Sequence, residues 1–253
     1  MRAKELETSS ARFLQLVADP QRWMLLRELA LSDRRVGELT ARVGKPQNLV
    51  SYHLGELRSG GLISSRRSSA DRRDTYYRID LTRCREMFVE AGIALHPGLR
   101  LEQRPPTPTP IAARTRKRRV LFLCTGNSAR SQMAEALLQH RSAHAIEACS
   151  AGSHPKPLHP DAVRVMAERG IDIAGRPTKH IRRFARSRFD QIITLCDKVK
   201  EICPDLPGHP TTAHWSMADP SAEPGATYRS FVRTADEIEE RVGFLIAQIA
   251  AES

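Results

Sequence analysis

Apolar residues recur along this chain with helical spacing first and with strand-like runs later, and the change of period divides it into two halves. Phe13, Leu16 and Val17 precede Pro20, and Trp23, Leu26 and Ala30 resume the stripe beyond it, which predicts two helical segments broken at the proline. Val36, Leu39 and Val43 predict a short helix that Gly44 stops. After a turn at Lys45 and Pro46, residues 47–58 read as another helix, with Val50, Leu54 and Leu57 on its core face and Asn48, Ser51, Tyr52 and Gly55 on the other. Residues 62–67 and 75–79 then read as two strands around a polar tip.

The second half alternates differently. Apolar runs at 118–123, 145–149, 191–195 and 211–215 predict four strands with helices between them, followed by a long helix over about 228–251. Strand–helix alternation implies a parallel sheet covered on both faces, whose ligands bind at the carboxyl ends of the strands. Between the halves, Pro97, Pro105, Pro106, Pro108 and Pro110 lead into a basic run at Arg114, Arg116, Lys117, Arg118 and Arg119. Such composition predicts an extended, semi-rigid linker. The expected organisation is a mostly helical domain with a β wing at 1–95, a linker at 96–117, and an α/β domain with a four-stranded parallel sheet at 118–253.

Charge sharpens this division. The whole chain carries 40 Lys and Arg against 29 Asp and Glu, a net charge of +11. Residues 1–95 hold 17 basic against 12 acidic side chains, 96–119 hold 7 against 1, and 120–253 hold 16 against 16. The excess therefore lies in the first half and the linker, which predicts a polyanionic partner for that part. Five cysteines in no regular framework, an N-terminus without an apolar signal region and no run of membrane-spanning length predict a cytoplasmic protein with no membrane association. His140 with His144, or Cys203 with His209 and His214, lack a complete four-ligand spacing, so no metal site is expected.

Two helices joined by a short turn, the second with a small, polar outer face, suit entry into a DNA major groove, where bulk would hold the helix out. Gln47, Asn48, Ser51, Tyr52 and Arg58 are the candidates on that helix. Arg66, Arg67, Arg72 and Arg73 stand at or near the wing tip, within reach of phosphates or a minor groove. Through ADPQRWMLLREL, VSYHLGELRSGGLISSRR and YYRID, residues 11–89 resemble the winged-helix domain of the arsenic-responsive repressor family. That resemblance implies operator DNA as partner and a homodimer formed through this domain. It also marks a departure: where the family carries an arsenic-binding cysteine pair, this chain reads Asp33, Arg34, Arg35, Val36, Gly37, Glu38, and Cys84 stands alone after the wing.

The strongest chemical signal is VLFLCTGNSARSQMAE, residues 120–135. Cys124 and Arg130 flank Thr125, Gly126, Asn127, Ser128 and Ala129, so the loop can curl its backbone N–H groups around a tetrahedral anion while Arg130 adds a planar fork of donors. A helix starting near Ala129 points the positive end of its dipole there, which favours the Cys124 thiolate. From Arg118 onward the chain resembles the low-molecular-weight tyrosine phosphatase family in its thioredoxin-coupled arsenate reductase branch, by the wording CTGNSARSQMAE and the Ser150, Ala151, Gly152 turn. The resemblance implies that Ser131 hydrogen-bonds the thiolate, that Asn127 holds the loop, and that Asp219, before Pro220, is the general acid.

A hydrolytic phosphatase needs one cysteine, whereas reducing arsenate takes two electrons that thiols can supply as a disulfide. The resemblance assigns that task to LCDKVKEICP: Cys196 attacks the Cys124 adduct, Cys203 attacks Cys196, and thioredoxin, an external reductant rather than a bound cofactor, reopens the disulfide. If the stretch between Cys196 and Cys203 were helical, seven residues at 1.5 Å would part their Cα atoms by about 10 Å, beyond the roughly 7 Å a disulfide tolerates, so it must unwind. Relatives that bind potassium do so through residues matching Asn127, Glu135 and Ser150. Lys179 falls at the remaining position, and its ammonium predicts no potassium requirement. Two other readings stay open: a tyrosine phosphatase fused to a regulator, and a regulator whose second domain senses an oxyanion or thiol state without turnover.

Overall fold

The computed structural model describes residues 2–99, 117–202, 212–222 and 227–252, with side chains from Thr8 onward and without that of Ile202. The chain divides into two compact units, 1–105 and 106–253, each built on a separate apolar core.

The first unit runs α1 (Arg2–Val17), α2 (Pro20–Leu31), β1 (Arg34–Arg35), α3 (Val36–Val43), α4 (Gln47–Ser59), β2 (Ile63–Arg67), β3 (Thr75–Ile79) and α5 (Leu81–Leu95). The break at Pro20 falls as its chemistry requires, because the ring occupies the first helical turn and Asp19 accepts from the N–H groups of Gln21 (2.9 Å) and Arg22 (3.0 Å). These bonds, led by that from Arg22, outweigh the upward push of burial and hold the Asp19 carboxyl below its ordinary pKa. Gly44 ends α3 in the left-handed region, φ 62°.

Three details depart from expectation. The buried stripe of α2 is Leu25, Leu26 and Leu29, while Trp23 and Ala30 face outward: the run Trp-Met-Leu-Leu is apolar all round and carries no phase of its own. The wing is joined by β1, giving an antiparallel sheet of order β1-β3-β2 with Arg34 opposite Tyr77 and Arg35 opposite Tyr76. Two residues are too short for any alternation to announce them. Finally, α5 follows the wing, capped by Asp80 accepting from Arg83 N at 2.8 Å and packed on α1 through an edge-to-face pair of Phe13 and Phe88.

The second unit runs β4 (Arg119–Cys124), α6 (Arg130–Arg141), β5 (Glu147–Gly152), α7 (Pro160–Ala167), β6 (Gln191–Thr194), α8 (Asp197–Ile202), β7 (Thr212–His214) and α9 (Tyr228–Ala251). The four strands form the expected sheet, parallel throughout, in the order β5-β4-β6-β7. The fully buried Val120, Leu121, Phe122 and Leu123 place β4 at the centre, so Cys124 emerges at the carboxyl edge of the sheet. From Arg130 through Leu138, every α6 residue is buried. The sequence reads as an amphipathic helix, but its polar face turns toward the loop instead of water, and Arg130, Ser131, Gln132 and Glu135 each find a polar partner there.

Candidate functional site

Loop 124–130 is built by its neighbours. The carbonyls of Cys124, Thr125, Gly126 and Ser128 accept from the N–H groups of Ser153 (3.3 Å), His154 (2.9 Å), Lys156 (2.9 Å) and His159 (2.9 Å). Each bond turns a peptide so that its carbonyl faces the 153–159 segment, leaving N–H groups for the hollow of the loop. The loop lies so close to the end of β5 that a Cβ at Gly152 would stand 2.6 Å from the Thr125 carbonyl oxygen. The Ser-Ala-Gly turn therefore needs glycine for space. Asn127 adopts φ 48°, a left-handed conformation that asparagine tolerates better than most residues.

The Asn127 side chain fixes the hydrogen-bond directions around the thiol. Its Oδ1 accepts from Lys179 N (2.7 Å) and Gln132 Nε2 (3.3 Å), while its Nδ2 donates to Ser131 Oγ (2.9 Å) and Ser150 Oγ (2.8 Å). Because Ser131 Oγ accepts from Asn127, its own proton is free to point at Cys124 Sγ, 2.9 Å away. Asn127 N also donates to that sulfur, at 3.2 Å. Two donors and a helix N-terminus thus converge on a buried sulfur.

Arg130, buried at the first turn of α6, donates to the Met217 carbonyl (3.0 Å) and to Asp219 Oδ2 (2.8 Å). Ser221 donates through N and Oγ to the other Asp219 oxygen, at 3.1 and 2.8 Å. Burial pushes the Asp219 carboxyl up, yet the Arg130 guanidinium and the Ser221 bonds outweigh it and hold it below the usual carboxylate range. Lys179 Nζ lies 2.9 Å from Glu135 Oε2, so an ammonium already serves that carboxylate. Among the described residues, no group of three His, Cys, Asp or Glu side chains is placed to hold a metal ion.

Cys196 is buried with its sulfur 3.3 Å from Thr125 Oγ1, which brings a second thiol to loop 124–130. Next to it Asp197, the first residue of α8, accepts from Ser216 Oγ (2.7 Å) and lies 3.0 Å from His214 Nε2. His214 Nδ1 in turn lies 2.8 Å from Thr194 Oγ1. This buried network pins the start of α8 to β6 and β7, and sequence reading missed it along with the 153–159 strap. A carboxylate after a cysteine carries no signal until the fold sets His214 against it. Cys203 lies outside the described residues. Cys149 and Cys84 are half-buried, and burial raises both thiols, Cys84 to about 11, so Cys84 is a neutral thiol at physiological pH.

In the first unit, Gln47, Asn48, Ser51, Tyr52 and Arg58 are all exposed on α4 while Val50, His53, Leu54 and Leu57 are buried. The wing carries Arg66, Arg67, Arg72 and Arg73. Arg67 Nη1 donates to the carbonyls of Arg72 (3.0 Å) and Arg73 (3.4 Å), bracing the tip, while the Arg72 and Arg73 side chains are exposed.

Comparison with known proteins agrees with both halves. Residues 119–253 match the family described as low molecular weight phosphotyrosine protein phosphatase, and residues 19–65 match the bacterial regulatory proteins of the arsR family. An arsenate reductase from Brevibacillus brevis is 40% identical over 126 residues, 50% of this chain and 92% of the relative. Arsenate reductase 2 of Bacillus cereus is 37% identical over the same shares. A crystal structure of arsenate reductase from Archaeoglobus fulgidus superposes with a TM-score of 0.43 at 35% identity, covering 51% of this chain and 98% of that one. Its carboxyl-terminal half makes this chain a member of the low molecular weight phosphotyrosine protein phosphatase family, carried behind an arsR-family helix-turn-helix.

Proposed function

We propose that the chain is a DNA-binding regulator fused to an arsenate reductase that works through a relay of three cysteines. The observation that carries this reading is the 3.3 Å approach of Cys196 Sγ to Thr125 Oγ1 in the anion loop, since phosphate-ester hydrolysis itself needs only one thiol. Arsenate binds in the loop; the Cys124 thiolate forms a sulfur–arsenic bond while Asp219 gives its proton to the departing oxygen, which leaves as water. Asp219 is ionised while it faces Arg130, and becomes an acid when the substrate oxyanion takes over the guanidinium and adds its own negative charge. Cys196 then attacks Cys124 sulfur, the sulfur–arsenic electron pair stays on arsenic, and arsenite departs. Cys203 attacks Cys196, freeing Cys124, and the Cys196–Cys203 disulfide passes to thioredoxin. α8 fills the stretch between those two cysteines, so the helix must come apart for the bond to close, while the Asp197–His214 contact holds its first residue in place.

In this reading Asn127 and Ser131 orient the thiolate, Lys179 removes any need for potassium, and the domains run over 1–95 and 118–253. Arsenite release measured with thioredoxin, its reductase and NADPH, beside hydrolysis of an aryl phosphate, tests the assignment: phosphate hydrolysis without arsenite would make the protein a phosphatase. Replacing Asp219 by Asn removes the acid while keeping the shape, and kcat is expected to fall roughly 10²- to 10⁴-fold. An unchanged kcat would take Asp219 out of the chemistry.

For the first unit, the exposed face of α4 supports entry into a major groove and the wing arginines support binding to phosphates. Leu14 on α1 and Phe88 and Leu95 on α5 expose apolar surface that suits a homodimer. Among the described residues no helix is long and apolar enough to cross a membrane, which fits a cytoplasmic regulator. Arg66→Ala or Arg72→Ala is expected to weaken binding to every sequence and to lower the salt slope by about one unit for each phosphate the arginine neutralises. Tyr52→Ala is expected to change base preference instead. Site selection from random duplexes checks this, and an unchanged preference would move α4 out of the groove.

A further inference from the structure

Residues 176–188 hold Arg176, Lys179, Arg182, Arg183, Arg186 and Arg188 and no Asp or Glu, although the domain around them is neutral. The structure sorts these charges into two kinds. Arg176 and Lys179 are half-buried against Glu135, whereas Arg182, Arg183, Arg186 and Arg188 are exposed, with no carboxylate within 4 Å among the described residues. Several other arginines of the same unit are paired: Arg119 with Glu147, Arg141 with Glu239, Arg164 with Glu168, Arg169 with Asp236 and Glu239. Four adjacent unpaired guanidiniums repel one another.

The segment is also held firmly. Ile181 and Phe184 pack against the core, Phe184 meets Phe189 edge to face, and the guanidinium of Arg119 lies over the Phe189 ring while donating to the Arg188 carbonyl at 2.7 Å. One end is bridged at His180 to Gly152, level with Cys124; the other meets Arg119 at the start of β4. The row therefore runs back along the length of β4, about 16 Å at roughly 3.3 Å per residue. That is long enough to meet several phosphates of a duplex, which carries one negative charge for about every 1.7 Å of its axis.

We propose that Arg182, Arg183, Arg186 and Arg188 form a second DNA-backbone contact surface, on the catalytic domain itself, that engages duplex phosphates without regard to sequence. This rests on the reading that the chain binds DNA. An anchored run of exposed guanidiniums with no carboxylate among them suits a linear polyanion better than the irregular charges of an acidic protein. The row ends beside Arg118, from which the sequence continues backward into Lys117, Arg116 and Arg114. Tethering to a DNA-binding domain raises the local DNA concentration enough for a few weak phosphate interactions to count.

The test uses the full-length chain and random-sequence duplex DNA, with binding followed against salt. Changing all four arginines to alanine is expected to lower the slope of log Kobs against log[salt] by about two to four units and the affinity at low salt at least about tenfold. Arsenate turnover should be unchanged, showing the domain intact. The four Arg→Lys changes should retain the slope, since a point charge satisfies a phosphate. Arg72→Ala with Arg73→Ala, measured alongside, reports on the wing separately. A normal slope in the alanine variant beside a reduced one in the wing variant would overturn the proposal and leave the winged-helix reading standing. Slower thioredoxin-dependent turnover with DNA binding untouched would overturn it too, and give the strip to an acidic protein.

Discussion

Cys124→Ser is expected to end arsenate turnover while operator binding stays at the parental level. The expectation follows from where the sulfur sits: Ser131 Oγ and Asn127 N approach it at 2.9 and 3.2 Å, and the first turn of α6 opens beside it. These groups surround an attacking sulfur, but they cannot make a nucleophile of a serine hydroxyl at neutral pH, because a hydroxyl lacks the nucleophilicity of a thiolate. Every later step needs a Cys124 adduct, so kcat should fall by roughly 10⁴-fold or more, the scale on which removing a nucleophile acts in other enzymes. The isosteric change leaves the loop's peptide orientations alone, because those are set by the N–H groups of Ser153, His154, Lys156 and His159. Binding of arsenate or phosphate should therefore survive in the variant, and calorimetry can show it. Appreciable steady turnover in Cys124→Ser would refute the assignment of the nucleophile.

What the sequence reveals and what it hides divides along physical lines. Alternating strands and helices, the Pro20 break, the Gly44 stop and the cysteine–arginine loop are local signals, each set by a period or by the chemistry of one or two side chains. They reappear in the structure with boundaries shifted by at most three residues. Contacts that depend on register between distant segments were not legible. Nothing in Asp197 alone announces His214, seventeen positions on, and nothing in residues 153–159 announces that their amides will hold four loop carbonyls. The two-residue β1 escapes because pairing, not alternation, makes it a strand. The buried face of α2 is hidden for the opposite reason, an apolar run with too many candidates and no polar residue to set the phase. Lys179 is intermediate: its place in the sequence suggested an ammonium near Glu135, and only the fold supplies the 2.9 Å contact.

Cys203→Ser should differ from Cys124→Ser in kind. With Cys124 and Cys196 intact, the first arsenate is still captured, and Cys196, whose sulfur already lies against the loop at Thr125, can still attack the adduct and release one arsenite. The electrons for that step come from the two thiols, which are left behind as a Cys124–Cys196 disulfide. Without Cys203 nothing in the chain resolves this disulfide, and it closes over two buried sulfurs that a protein reductant reaches poorly. The expected record is therefore a burst of one arsenite per chain followed by arrest, with mass spectrometry showing a disulfide between the peptides holding Cys124 and Cys196. A small dithiol, able to enter where thioredoxin cannot, should restart the reaction slowly. The parent, by contrast, should cycle with thioredoxin and accumulate the Cys196–Cys203 disulfide when thioredoxin is withheld. Sustained thioredoxin-dependent turnover in Cys203→Ser would show that another group completes the relay, and absence of the burst would mean that Cys196 acts only after Cys203 has moved. The Asp197–His214 contact bears on that second outcome, because it holds the start of α8, and with it Cys196, beside the loop.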